Sequence, residues 1–159
     1  MIRTATRADD DALWAILEPV LRAGETYLLP RDISREAALA YWWQPGNAVF
    51  VAEADGRVAG TYFLRANRAG PGSHVANCGY MTAADAGGRG IGRALCLHSL
   101  EEARLRGFRA MQFNMVVSTN TRAVHLWQSC GFEVVGRLPG AFAHPAKGYV
   151  DALVMFQTL

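Results

Sequence analysis

Four glycines lie between Gly87 and Gly92, in the stretch Asp85 to Gly92 that reads D-A-G-G-R-G-I-G. A strand-like segment, Val75 to Thr82, precedes them, and a long helical pattern follows. Strand, glycine turn, helix is a device for holding a phosphate or pyrophosphate. Glycine lets the backbone approach the anion, and the first N–H groups of the helix point at it unpaired. Gly87, Gly88, Arg89, Gly90, Ile91, Gly92 and Arg93 are therefore expected to hold an anionic ligand, with Arg89 and Arg93 as countercharge. Spacing narrows the choice. A P-loop would carry Gly-Lys-Ser/Thr at the helix start, where this chain has Gly92-Arg93-Ala94. A dinucleotide fingerprint would carry its third glycine where this chain has Arg93 or Leu95. The plain alternative is a flexible turn that only enters a helix.

A second signal comes from two asparagines. Asn77 sits in V-A-N-C-G-Y-M and Asn114 in M-Q-F-N-M-V-V, each inside an apolar strand pattern. Asn is depleted in strands, and a buried amide without partners costs roughly 1–3 kcal/mol. Either these are bulge or edge positions, or both amides face a gap between two strands and hold a polar substrate.

The elements that must position these residues follow in order. Ile2 to Thr6 reads as a first strand. Asp9 to Asp11 offer N-caps to a helix carrying Leu13, Ile16, Leu17, Val20 and Leu21, in which Pro19 predicts a kink or break. Ser34 opens a second helix that runs to Trp43 and stops at Pro45-Gly46. Strands Ala48 to Ala54 and Arg57 to Arg65 are joined by Asp55-Gly56, a hairpin signal. Asn67 to Ser73 is a loop, Ile91 to Arg106 the long helix and Ala110 to Val117 a strand. Asn120 to Cys130 is a helix with Ala123, Val124, Trp127 and Cys130 on one face, and Asn120 suits its N-cap. Phe132 to Leu138 and Tyr149 to Gln157 are the last strands, around a loop holding Pro139, Phe142, His144 and Pro145. Hairpins mixed with helical crossovers predict a single α/β (α+β) domain over 1–159, a mixed sheet with helices on both faces.

Composition closes off other classes. The balance of 16 basic and 14 acidic residues is too near neutral for nucleic acid to be the main partner. No apolar run is long enough to span a bilayer, and the first ten residues lack a signal-peptide core, so a cytoplasmic protein is expected. Cys78, Cys96 and Cys130 have no metal-ligand or redox spacing and read as reduced core thiols, with no metal assigned.

The run G-x-G-x-G entering a helix, then a strand, then Asn120, Ala123 and Trp127 ahead of Gly131-Phe132, resembles the acetyl-coenzyme A site of the GNAT superfamily of N-acetyltransferases. The family pattern is Gln/Arg-x-x-Gly-x-Gly/Ala; Gly90 and Gly92 match it, while Gly87 replaces the Gln/Arg. The resemblance implies a GNAT fold with a mostly antiparallel sheet of about seven strands, and acetyl-CoA as cosubstrate with its pyrophosphate on the turn. It places backbone amides of Met81 and Thr82 beside the thioester carbonyl and Asn120, Ala123 and Trp127 along the coenzyme. Trp127 stands where many members have a tyrosine. An indole N–H donates a hydrogen bond but is no usable acid, so Trp127 reads first as core. The implied reaction is attack by an amine on the thioester, and neutralising an amine of pKa near 10 at pH 7 costs about 4 kcal/mol. Glu25, Tyr27, Glu53, His74, His144 and Asp151 are candidate bases by type, with none singled out.

The segments Asn77 to Met81, Ala110 to Asn114, Val117 to Asn120 and Gly148 to Asp151 more closely resemble the fungal proline-analogue N-acetyltransferases. Those enzymes acetylate the ring nitrogen of azetidine-2-carboxylate and related cyclic imino acids. The resemblance implies that Asn77 and Asn114 hold the substrate, that Asn114, Asn120 and Met81 serve catalysis, and that Tyr27, His144 and Tyr149 line the acceptor site. Acetylation of a protein N-terminus, a lysine or an aminoglycoside is the alternative within the enzyme class. A non-catalytic CoA-binding sensor is the alternative outside it. Homodimers are common in the family, and the apolar run Ala152 to Phe156 permits one.

Overall fold

In a computed structural model that describes residues 1–159, seven strands hydrogen-bond into one sheet. In chain order they are β1 (Ile2–Thr4), β2 (Ala48–Ala54), β3 (Arg57–Ala66), β4 (Val75–Thr82), β5 (Ala110–Val117), β6 (Glu133–His144) and β7 (Gly148–Thr158). The helices are α1 (Asp10–Ala23), α2 (Arg35–Trp42), α3 (Ile91–Leu105) and α4 (Thr121–Ser129). Across the sheet the order is β1-β2-β3-β4-β5-β7-β6, and β4–β5 is the one parallel pair. This is the mixed, mostly antiparallel seven-stranded sheet that the sequence led us to expect.

Strand alternation sends side chains to two cores. Phe50, Tyr62, Leu64, Cys78, Met111, Phe113 and Met155 pack with Leu95, Leu100 and Trp127 of α3 and α4. Val49, Val51, Phe63 and Met81 pack on the other face, with Leu13, Leu17 and Leu21 of α1 and Leu39 and Trp42 of α2. The three cysteines are free and buried in the first core.

Local chemistry explains most boundaries. Ser34 caps α2 by accepting from the Ala37 N–H at 3.1 Å. Asp55 and Gly56 take φ of +52° and +74°, the left-handed pair that a two-residue hairpin requires. At the start of the chain, Asp9 accepts from Arg3 at 2.8 and 2.9 Å and from the Thr6 N–H. The Arg3 guanidinium holds the Asp9 carboxyl down at about 2 and ties β1 to the start of α1.

Two expectations need correction. Pro19 neither breaks nor ends α1, which runs on to Ala23. Pro19 and Ala15 lie on the exposed face, where water can satisfy the carbonyl that a proline leaves without its i+4 donor. Second, most of the expected loop after Leu138 is strand, since β6 continues to His144. Pro139 is accommodated because pairing with β7 is irregular between Leu138 and Phe142. Phe142, 4% exposed, draws the strand back onto the core.

The placement of α3 depends on Gly60 in β3. A Cβ there would lie 2.9 Å from both Ile91 Cγ2 and Leu95 Cδ1. The helix that follows the glycine turn therefore sits directly on the β3 backbone. Gly60→Ala is expected to lower the unfolding free energy by about 1–3 kcal/mol, measured by urea denaturation.

Candidate active site

β4 and β5 share only the pairs Val75–Ala110 and Ala76–Met111 before they part. Parting strands leave backbone groups that need other partners. Asn77 supplies the first: its Nδ2 donates to the Gln112 carbonyl at 2.9 Å, where a third ladder pair would stand. A line of amides continues from there. Gln112 Nε2 donates to Asn114 Oδ1 at 2.9 Å, and Asn114 Nδ2 donates to Asn67 Oδ1 at 2.7 Å. Asn114 lies in a bulge of β5, where three steps from Phe113 to Val116 oppose two steps of β7 from Met155 to Leu153. A bulge re-aims the side chains it carries. The bulge reading holds for Asn114 and not for Asn77, and both amides lie where the two strands part. Gln112 and Asn67, which complete the cluster, were not singled out from the sequence.

The register also fixes which amides face the gap. The Asn67 N–H donates to the Val75 carbonyl and the Ala83 N–H to the Ala59 carbonyl, with no bulge between β3 and β4. By antiparallel alternation, Asn77, Gly79 and Met81 turn their backbone groups to β3, whereas Cys78, Tyr80 and Thr82 turn theirs toward β5. The donor expected of Met81 is therefore not on the gap side. Thr82 is, as expected, and Tyr80 joins it.

Each side of the gap has its own wall. On the α1–α2 side, a Cβ on Gly79 would lie 2.5 Å from the Phe63 ring and 2.9 Å from the Tyr27 hydroxyl. Tyr27 donates to the Tyr80 carbonyl at 3.0 Å. Burial pushes its phenol above the ordinary value, so at neutral pH it is a donor and not a base. On the other side, the Trp127 ring stands 4.8 Å from Tyr80 of β4 and 5.2 Å from Phe113 of β5. Trp127 is core packing that wedges the two strands. Asn120 caps α4, its Oδ1 accepting from the Ala123 N–H at 3.3 Å, and its Nδ2 has no partner within the chain.

The glycine turn has the geometry of an anion seat. Gly88 and Gly90 both take φ of +76°, and Gly90 is the N-cap of α3 without a side-chain cap. The Ala94 N–H is the first to reach back, to the Gly90 carbonyl, so the N–H groups of Ile91, Gly92 and Arg93 are unpaired. Arg89, expected as countercharge, is ion-paired to Asp55 at 2.5 Å, while Arg57 pairs with Asp85 at 2.5 Å. Both pairs clip the turn to the β2–β3 hairpin. Arg93 is exposed and outside any ion pair. A cation the sequence did not reveal is Arg122 of α4, whose guanidinium nitrogens lie 3.5 and 3.6 Å from where a Gly87 Cβ would be. Gly87 is the one sequence signal for it, since a glycine there leaves room for a charge from another element.

Other candidates separate. The Ser118 N–H donates to the Asp151 carbonyl at the far end of β5, and Tyr149, 83% exposed, lies beyond that point in the β6–β7 tip. His144 is in the same tip, its Nδ1 accepting from the Ala146 N–H. The structure does not bring either to the amide cluster. Glu53 pairs with Arg3 at 2.7 Å, and His74 is bonded to the Pro71 carbonyl. Asp151 is held below the usual carboxylate range by the Gly140 N–H and by Arg137. Glu25 alone of the candidate bases has no such partner, and it shares a shallow groove with Thr82, Thr26 and Pro19. Asn77→Ala would strip the Gln112 carbonyl of its donor, and is expected to cost about 1–3 kcal/mol in urea denaturation.

The Acetyltransferase (GNAT) family profile matches residues 13–132. N-acetyltransferase aca1 of Schizosaccharomyces pombe is 33% identical over 101 residues, which is 60% of this chain and 46% of that protein. The chain thus spans about half the length of that relative. The solved structure of a GCN5-related N-acetyltransferase from Kribbella flavida superimposes with a TM-score of 0.94 at 45% identity, covering 100% of this chain and 97% of the other. Ribosomal-protein-alanine N-acetyltransferase from Brucella melitensis gives 0.87 at 29% identity, covering 100% and 99%. Further structures of this fold hold acetyl-CoA. The unpaired amides of the turn, the neighbouring Arg122 and the open gap all fit that ligand. The chain belongs to the GNAT family of acetyltransferases, enzymes that use acetyl-CoA as acetyl donor.

Proposed function

We propose that this chain transfers acetyl from acetyl-CoA to the nitrogen of a small amine or cyclic imino acid, of which azetidine-2-carboxylate is the type. One observation carries the reading: the cluster of Asn67, Asn77, Gln112 and Asn114 at the point where β4 and β5 part. Amides without a carboxylate among them suit a small polar acceptor better than a strongly cationic one. Their line of hydrogen bonds can exchange members for a substrate without leaving a charge unpaired.

The residues divide the work as follows. The amides of Ile91, Gly92 and Arg93, with Arg122, take the pyrophosphate. In this reading the gap-side N–H groups of Thr82 and Tyr80 donate to the oxyanion that develops at the thioester carbonyl. Asn120 Nδ2 and the edge of Trp127 line the coenzyme arm. Asn77 and Asn114 hold the acceptor against the wall formed by Tyr27, and Glu25 receives the amine proton through water. Transfer is direct. Burial pushes the Cys78 thiol up to about 12, so it offers no thiolate for an acetyl-enzyme at neutral pH. The exposed Val134, Val135 and Leu138 of edge strand β6 give a homodimer its face in this reading.

Thiol release from acetyl-CoA across a panel of acceptors tests the proposal. The panel contains azetidine-2-carboxylate, proline analogues, common amino acids, polyamines, an aminoglycoside and a peptide with N-terminal alanine. Preference for cyclic imino acids is expected; turnover of the peptide alone would replace the substrate class. Asn114→Ala is expected to slow acetylation on the order of 10- to 100-fold while leaving acetyl-CoA affinity nearly unchanged. Arg122→Ala is expected to do the reverse, raising the KM for acetyl-CoA on the order of 10-fold with little change in acceptor KM.

A further inference from the structure

Arg65 stands next to the amide cluster and has no carboxylate partner. It is the residue of β3 directly opposite Asn77, and Asn67, which holds Asn114, lies two residues on, just past the end of that strand. Its guanidinium carbon lies 5.0 Å from the centre of the Phe63 ring and 5.9 Å from that of Tyr41. Nη1 gives one hydrogen bond of 3.2 Å, to the neutral amide oxygen of Gln44. Eight of the other arginines, Arg3 and Arg57 among them, are paired with Asp or Glu, and no acidic side chain comes within ion-pair distance of Arg65.

A guanidinium has five N–H donors in a fixed fork, and its planar faces can rest on aromatic rings while the edge stays free. Here the guanidinium lies over two rings and one neutral bond uses a single donor. The remaining edge suits a planar anion with two oxygens, which an arginine takes through two parallel hydrogen bonds. Arg65 and Asn77 stand directly opposite each other, so their backbones are about 4.8 Å apart and their side chains leave the sheet on the same face. In an α-amino or α-imino acid the nitrogen and the carboxylate share one carbon, a span of the same order. An acceptor can therefore place its nitrogen at the gap and its carboxylate over β3.

We infer that Arg65 binds the carboxylate of the acceptor, making this a site for free α-amino or α-imino acids. This rests on the small-acceptor reading above and sharpens it. A peptide N-terminus, whose first carboxyl is tied up in an amide, would leave Arg65 without its anion, as would a polyamine.

The test compares azetidine-2-carboxylate, and the best free amino acid of the panel, with their carboxamides, using wild type, Arg65→Gln and Arg65→Lys. Wild type is expected to prefer each acid to its amide. In Arg65→Gln the KM for the acids should rise on the order of 100-fold, with kcat and the KM for acetyl-CoA close to wild type and the amides unaffected. Arg65→Lys, which keeps the charge but not the fork, should fall between the two. An unchanged acetyl-CoA KM separates this from misfolding. If wild type prefers the acids and Arg65→Gln keeps that preference, the Arg65 assignment fails alone. If wild type prefers the amides, or accepts only amines without a carboxylate, the assignment and the substrate class fail together.

Discussion

The constraint on which this molecule depends is the separation of two parallel strands that begin as partners. β4 and β5 pair for two residues and then diverge, although their backbones still need donors and acceptors. The first lost ladder bond is replaced by the Asn77 side chain on the Gln112 carbonyl. On the opposite face, the Trp127 ring fills the space between Tyr80 and Phe113, so closing the gap would require expelling an indole from the core. One polar bridge and one apolar wedge thus hold the strands at a fixed divergence. The gap is an enforced feature of the sheet with unpaired amides along it, and the glycine turn at the end of β4 extends the same row of donors toward α3.

Much of this was legible in the sequence, for identifiable reasons. The turn and α3 were readable because glycines at positive φ are required there, and no other residue takes that conformation cheaply. The Asp55-Gly56 hairpin, the Ser34 cap and the exact span of β4 follow from the same kind of local chemistry. Asn77 and Asn114 stood out because an amide in an apolar strand demands a partner. What could not be read was the identity of the partners. Gln112 is an ordinary strand residue and Asn67 an ordinary loop residue until the fold brings Asn67 across 47 positions to Asn114. The extension of β6 through Pro139 was hidden for a related reason: proline reads as a strand breaker unless an irregular pairing exempts it.

The Met81 correction illustrates a further limit. In an antiparallel strand the backbone groups of successive residues point in opposite directions, so a one-residue error in register sends an amide into the neighbouring ladder. Residue type carries no information about this. The bonds of Asn67 to Val75 and of Ala83 to Ala59, at the two ends of an unbroken register, settle the parity for every residue between them. The same parity accounts for Tyr27, since the Tyr80 carbonyl can accept its hydroxyl only because it is not engaged by β3.

Electrostatics across the site divide along the gap. At the coenzyme end, Gly87 departs from the side chain usual in the family pattern, and Arg122 reaches in from another element to within contact of the bare position. A glycine with Arg122 beside it can present both a close backbone and a cation, whereas a long side chain at 87 would compete with Arg122 for that space. Arg89, the obvious cation of the turn, is drawn off by Asp55 and works as a structural clip. At the acceptor end the amides are neutral, and the ring-supported Arg65 stands on the strand beside them. Attack by an amine requires the neutral nitrogen, and in the proposed reading Arg65 acts on binding, its ion pair with the carboxylate holding the acceptor on the same face of the sheet as Asn77. A negative cleft would attract ammonium groups and hold them protonated, which neutral amides do not. In the proposed reading, then, the placement of one unpaired arginine decides which acceptors bind.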